Sequence, residues 1–313
     1  MRLSHITPSV LVALGGVLGI LVIASLIAAL LKRLHPDKNY TELIQRIRSW
    51  WIMIGIFSGV ILLSRTASIL FFAFVSFLAL KEYLSLIPTR RADRRVLFWA
   101  YAAIPFQYYW VHEQWYGMFI IFIPVYLFLL LPMRMVIIGE TKDFLRAAGT
   151  LHWGLMTMVF SLSHAAFFLV LDGTKNPVGG GAGLVLYLIF LTQFNDVAQY
   201  VWGKLTGRHK IIPKVSPNKT WEGFLGGVGT TTALAMVLAP HLTPLTPVES
   251  FGAGLLIALG GFIGDVTISA LKRDIGVKDS GSLLPGHGGI LDRIDSLTYT
   301  APLLFHFVYY LHY

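Results

Sequence analysis

An all-α integral membrane protein, a polytopic helical bundle of about nine to ten transmembrane helices, is the fold the sequence predicts. Three observations predict it: composition, the spacing of apolar runs and the placement of basic residues. Of 313 residues, 55% are hydrophobic and only 13% charged, whereas soluble domains carry about 25% charged residues. This deficit sets the class. There are no cysteines, which excludes disulfides and thiolate metal sites. The net charge of +9 follows the loops between apolar runs, so it reads as membrane topology and no nucleic-acid partner is expected.

Apolar runs long enough to cross a bilayer lie near 8–31, 49–64, 66–86, 96–111, 115–133, 151–172, 182–203, 223–243, 250–271 and 294–313. The first follows one positive charge, is long and lacks a small-residue cleavage site, so it reads as a retained helix rather than a signal peptide. If alternate loops share a side, then all of the 25 Lys and Arg residues except Arg2, Arg65 and Lys175 fall on one side. The positive-inside rule places that side in the cytoplasm and both termini outside. The location expected is the cytoplasmic (inner) membrane. Two units are expected: residues 1–150, N-terminal helices with basic cytoplasmic loops, and residues 151–313, a catalytic membrane domain. In the first unit, the segment 35–51 reads as an amphipathic stretch and Arg90 to Arg95 as a basic cluster, both suited to anionic lipid head groups. The glycines at 179–183 read as a flexible external turn.

Ionisable residues inside a span are costly and mark function by default. The seventh run is interrupted by Thr192, Gln193, Asn195, Asp196 and Gln199, with Asp196 and Gln199 on one helix face. In the ninth run Asp265, Ser269 and Lys272 form one stripe that leads from the membrane to the cytoplasmic loop. Ser163 and His164 form a further polar spot, in which the histidine reads as a packing residue.

Two loops gather phosphate chemistry on that side. Residues 203–223 bring Ser216, Lys219 and Thr220 to the start of a span, where helix N-terminal amides favour anions. Residues 269–295 crowd charges and glycines into a chain that is otherwise apolar. Carboxylates there can hold a divalent cation, Lys and Arg can neutralise phosphate oxygens, and glycines admit backbone N–H groups to an anion.

In the second loop Ser269, Leu271, Lys272, Arg273, Lys278, Asp279, Gly281, Leu284, Pro285, His287, Gly288, Gly289, Ile290, Asp292, Arg293, Ile294 and Asp295 resemble the full signature of the phosphatidate cytidylyltransferases, or CDP-diacylglycerol synthases. Upstream, Asp196, Ala198, Tyr200, Gly203, Gly207, Ser216, Pro217, Lys219, Thr220, Glu222 and Gly223 are similar to the same family, while Asn195, Gln199 and Asn218 depart from its usual residues. The resemblance covers about 185–313. It implies an enzyme that joins CTP to phosphatidic acid among membrane lipids, releasing pyrophosphate, with Mg²⁺, a second, monovalent cation such as K⁺, and a homodimer. The catalytic set expected is Asp265, Asp292, Lys272, Arg293 and His287. Asp265 and Asp292 are the first-choice metal ligands and Asp196 and Asp295 the second. Lys219, Arg273 and Lys278 would bind phosphates, Ser216, Thr220 and Ser269 would donate hydrogen bonds, and Gly288 and Gly289 would open the backbone to the nucleotide. The rival readings are a CTP-dependent lipid kinase of similar helical build and a non-enzymatic membrane transporter or scaffold.

Overall fold

A computed structural model describes residues 6–37, 39–90, 93–281 and 288–313. Among these the regular structure is helical, as lipid requires of backbone groups that have no water to bond to. Helix α1 spans Pro8–Leu34, α2 Thr41–Leu63, α3 Arg65–Leu86, α4 Arg94–His112 and α5 Tyr116–Ile138. Helix α6 runs over 144–168 through a wide π turn at Met156–Ser161. Helix α7 spans Gly180–Thr206, α8 Trp221–Leu242, α9 Pro247–Asp274, the short α10 Leu291–Ile294 and α11 Leu297–His312.

Seven of these helices, α1, α2, α3, α5, α7, α8 and α9, are long and apolar enough to cross a membrane. The chain is therefore an integral membrane protein. The other expected spans are helices too, but α4 is too polar, α11 has only 16 residues and α6 is interrupted.

Helix starts follow local chemistry. The Ser64 hydroxyl accepts from the Ala67 N–H at the start of α3, and Thr220 does the same for Gly223 at α8. Thr246 and Glu249 form a reciprocal capping box on α9, with Pro247 in its first turn.

Two expectations are corrected. The amphipathic stretch 35–51 is not separate from the second span: α2 begins at Thr41 and carries it into the membrane without a break. Nor are the glycines at 179–183 a free turn. Gly180 to Gly183 form the first turn of α7, and a Cβ on Gly183 would sit 2.5 Å from the Leu242 carbonyl oxygen. Small residues are needed there because α7 and the end of α8 touch backbone to backbone.

Helix α7 is the central one: buried residues make up 61% of its most apolar stretch, against 17% for α1 and α2. The two ends of the bundle differ in charge. At the basic end, the Arg90 guanidinium binds Asp93 and donates to the Glu140 carbonyl, which joins the loops after α3 and α5. At the other end, Asn176 donates to the Leu242 carbonyl (3.0 Å) and His312 lies 3.1 Å from Glu249. His164 is wholly buried, with Nδ1 2.8 Å from the Phe160 carbonyl, as a packing histidine would be.

Candidate active site

The polar stripe of α7 divides into two jobs. Thr192 and Asn195 are fully buried and satisfied by neighbouring helices: Thr192 meets the Thr300 hydroxyl at 2.9 Å, and Asn195 donates to Ala258 O and accepts from Thr231. These are packing contacts. Gln193 and Asp196 instead line a cavity of ≈ 770 Å³ at the basic end. Asp196 accepts from the Ser296 hydroxyl through both oxygens, at 3.1 and 3.0 Å.

The stripe on α9 forms the next wall. Asp265 pairs with Lys219 (Nζ–Oδ2 2.7 Å) and accepts weakly from Ser269 (3.3 Å). Lys219 arrives from the loop before α8, where its ammonium also donates to Gln199 (3.0 Å). Burial disfavours its charge, but Asp265 and Asp196 outweigh that and hold its pKa above the usual lysine value. One turn below Ser269, Lys272 pairs with Asp292 at 2.6 Å.

Asp292 is held differently from Asp265. Its Oδ2 accepts from Ser280 N (3.0 Å), Ser280 Oγ (2.9 Å) and Gly289 N (3.1 Å), while Oδ1 takes Lys272. Burial pushes its carboxyl up, but the Lys272 and Ser280 bonds more than offset this and hold it below the usual carboxylate range. The loop closes so tightly here that Gly288 takes φ +79° and leaves no room for a Cβ, which would lie 2.6 Å from Asp292 Oδ2.

The cavity therefore brings together Asp196, Asp265, Asp292 and Asp295 with Lys272, Lys278 and Arg293, and Gly288 on its rim. Lys219 joins it through Asp265. Arg293 Nε is buried without a hydrogen-bond partner among the described residues. Other expected residues stand apart from the lining. Arg273 donates to the carbonyls of Val215 and Val277, tying the two loops together. Thr220 is buried as a helix cap, and Ser216 lies in the turn that positions Lys219, its carbonyl accepting from the Lys219 N–H. Ser269 touches the cavity only through Asp265, and Gly289 through its N–H to Asp292. His287 lies outside the described residues.

The sequence profile of the cytidylyltransferase family matches residues 44–311. The chain belongs to the cytidylyltransferase family. It is 47% identical to the uncharacterized protein YnbB of Escherichia coli strain K12 over 95% of this chain and 98% of that one. It is 30% identical to a phosphatidate cytidylyltransferase of Staphylococcus haemolyticus over 81% of this chain and 94% of that protein. A phosphatidate cytidylyltransferase of Staphylococcus aureus is 43% identical, but over only 40% of this chain and 48% of that protein.

The cavity also depends on residues that sequence reasoning missed. Glu82, at the foot of α3, accepts from Ile290 N (2.9 Å) and Leu291 N (3.1 Å) and so fixes the entry to α10. A Cβ on Gly289 would lie 2.0 Å from Glu82 Oε1, so the family glycine is needed for this closure. A lone carboxylate at the end of an apolar run was the available signal. Ser280 and Ser296, which position Asp292 and Asp196, carried none.

A divalent cation suits this donor set. Six carboxylates line one cavity, Asp196, Asp265, Asp279, Asp292, Asp295 and Glu42, yet among the described residues no three acidic or histidine side chains enclose a metal by themselves. Mg²⁺ is ordinarily held by one or two carboxylates and completes its shell with water and substrate phosphates.

Proposed function

We propose that the protein transfers the cytidylyl group of CTP to phosphatidic acid, forming CDP-diacylglycerol and pyrophosphate for phospholipid synthesis. The observation that carries this reading is a pair of Lys–Asp ion pairs, Lys219–Asp265 and Lys272–Asp292, facing one acidic cavity at the basic end of a membrane bundle. The Staphylococcus relatives named for this reaction support the choice of substrates.

Both substrates are anions, so neutralisation and alignment supply most of the rate. In the resting protein each lysine neutralises an aspartate. When CTP and phosphatidate bind, Lys219 and Lys272 turn to phosphate oxygens and leave Asp265 and Asp292 for Mg²⁺, with Asp196 and Asp295 beside them. Asp265 and Asp292 would hold Mg²⁺, which would supply positive charge to the phosphates as negative charge builds there. Arg293 offers its unpaired Nε to the same phosphates. An oxygen of the phosphatidate phosphate attacks the α-phosphorus of CTP, the new P–O bond forms, and the bond to the β-phosphate breaks to release pyrophosphate. A phosphate nucleophile is already ionised near pH 7, so no general base is required.

The basic end faces the cytoplasm in this reading, where CTP is available and the positive-inside rule places it. A homodimer and a second, monovalent cation belong to the same reading and rest on the resemblance alone.

Incubating the purified protein with labelled CTP, phosphatidate and Mg²⁺ tests the proposal. CDP-diacylglycerol and pyrophosphate should appear in equal amounts. CDP with a newly phosphorylated lipid would mean a kinase instead, and the absence of any product where a known synthase is active would overturn the enzyme reading.

A further inference from the structure

The catalytic cavity is not closed by the C-terminal helices alone. Its remaining wall is the first turns of α2, which contribute Glu42, Arg46 and Trp50, across from Val197 and Tyr200 of α7. Val197 is 53% exposed and Tyr200 64%, so no described part of the chain covers this face of α7. Apolar side chains left open at membrane depth face lipid. The cavity thus opens sideways between α2 and α7, with its acidic floor behind and a single arginine at the mouth.

Among the described residues Arg46 pairs with Glu42 at 2.5 Å, and the two side chains are 54% and 73% exposed. A pair so exposed contributes little to stability. It keeps the guanidinium oriented while leaving it free to exchange partners, and a phosphate monoester with two negative charges competes well for the fork of an arginine.

We propose that Arg46, at the gap between α2 and α7, captures the phosphate monoester of the lipid substrate in exchange for Glu42. This rests on the phosphatidate reading of the same cavity. The headgroup meets Arg46 first, the acyl chains lie against Val197 and Tyr200, and the phosphate then passes inward toward Lys272 and Arg293. The nucleotide triphosphate has the same chemistry, but it comes from the water side, where Lys278 and Asp279 line the cavity.

The test has a binding arm and a kinetic arm. In detergent micelles without CTP, spin-labelled phosphatidate should bind Arg46→Ala about tenfold more weakly than wild type, as expected for losing a charge-assisted bond. Arg46→Lys should recover part of this, and Glu42→Gln should bind more tightly than wild type because the competitor is gone. In turnover, Arg46→Ala should raise KM for phosphatidate by a similar factor and leave KM for CTP unchanged. Equal phosphatidate binding by Arg46→Ala and wild type would overturn the proposal, as would a rise in KM for CTP alone. If wild type makes no CDP-diacylglycerol, the reaction assignment fails on its own, and the binding arm still decides the role of Arg46.

Discussion

Two walls of one cavity carry the same ion pair, built in opposite ways. On the membrane wall Lys219–Asp265 has few helpers, a weak bond from Ser269 and one amide at Gln199, and two further carboxylates nearby. On the loop wall Lys272–Asp292 is knitted into the chain by two backbone N–H groups and a hydroxyl, with Glu82 gripping the next residues from the N-terminal half. The difference teaches what each aspartate is able to do. Asp265 takes part in no backbone contact of the loops, only in side-chain contacts to Lys219 and Ser269 among the described residues. Asp292 holds Lys272 through one oxygen and the loop before α10 through the other, so its charge serves two contacts.

The sharpest way to break this comparison is to neutralise each aspartate in turn. Asp265→Asn should lower kcat by about a thousandfold or more, the scale of losing a metal or oxyanion contact. The amide protection of Ser280 and Gly289 in hydrogen exchange should stay as in wild type. Asp292→Asn should cost about a hundredfold or more in kcat and also erase that protection. Matching exchange patterns in the two variants would abolish the distinction between the walls.

A smaller effect is expected at the grip from α3. Glu82→Gln places an amide where one of two backbone donors now finds an oxygen, so kcat should fall about tenfold with KM for CTP nearly constant, and Glu82→Asp should recover little because the shorter side chain loses reach. Unchanged kcat in Glu82→Gln would remove α3 from the site.

The smallest effect is in pH. Because the folded Asp292 carboxyl lies below its ordinary value, the latch is fully stabilising above the unfolded value of about 3.9. It is lost only as pH falls through the lower folded value. Protection of the Ser280 and Gly289 amides, corrected for intrinsic exchange, should therefore hold from neutral pH to about 4.5. Loss already near pH 6 would contradict the pairing.

Much of this was legible before any coordinates. The bundle followed from apolar runs, because lipid leaves helices as the way to satisfy a backbone, and the charged reaction loop stood out against them. Asp196, Asp265 and the loop charges could be assigned to one site because ionisable groups inside spans are rare. What the residues did not reveal was the traffic between distant parts. Glu82 reaches Ile290 across 208 positions, and no local pattern announces a contact of that range. Asn195 and Asp196 are neighbours of similar polarity, yet one packs against α8 and α9 while the other faces the cavity. Only the helix crossing decides which way each points. The glycines at 179–183 misled for the same reason, since a glycine run suits a loose turn and a tight helix contact equally well.

Binding of Mn²⁺, followed by electron paramagnetic resonance in the presence of a non-hydrolysable CTP analogue, tests most directly whether the resting lysines give way to a metal-bound nucleotide. Wild type should bind Mn²⁺ tightly only with the analogue present, and Asp265→Asn should lose that binding while its reaction loop stays latched. Mn²⁺ bound equally well by Asp265→Asn and wild type would contradict the exchange.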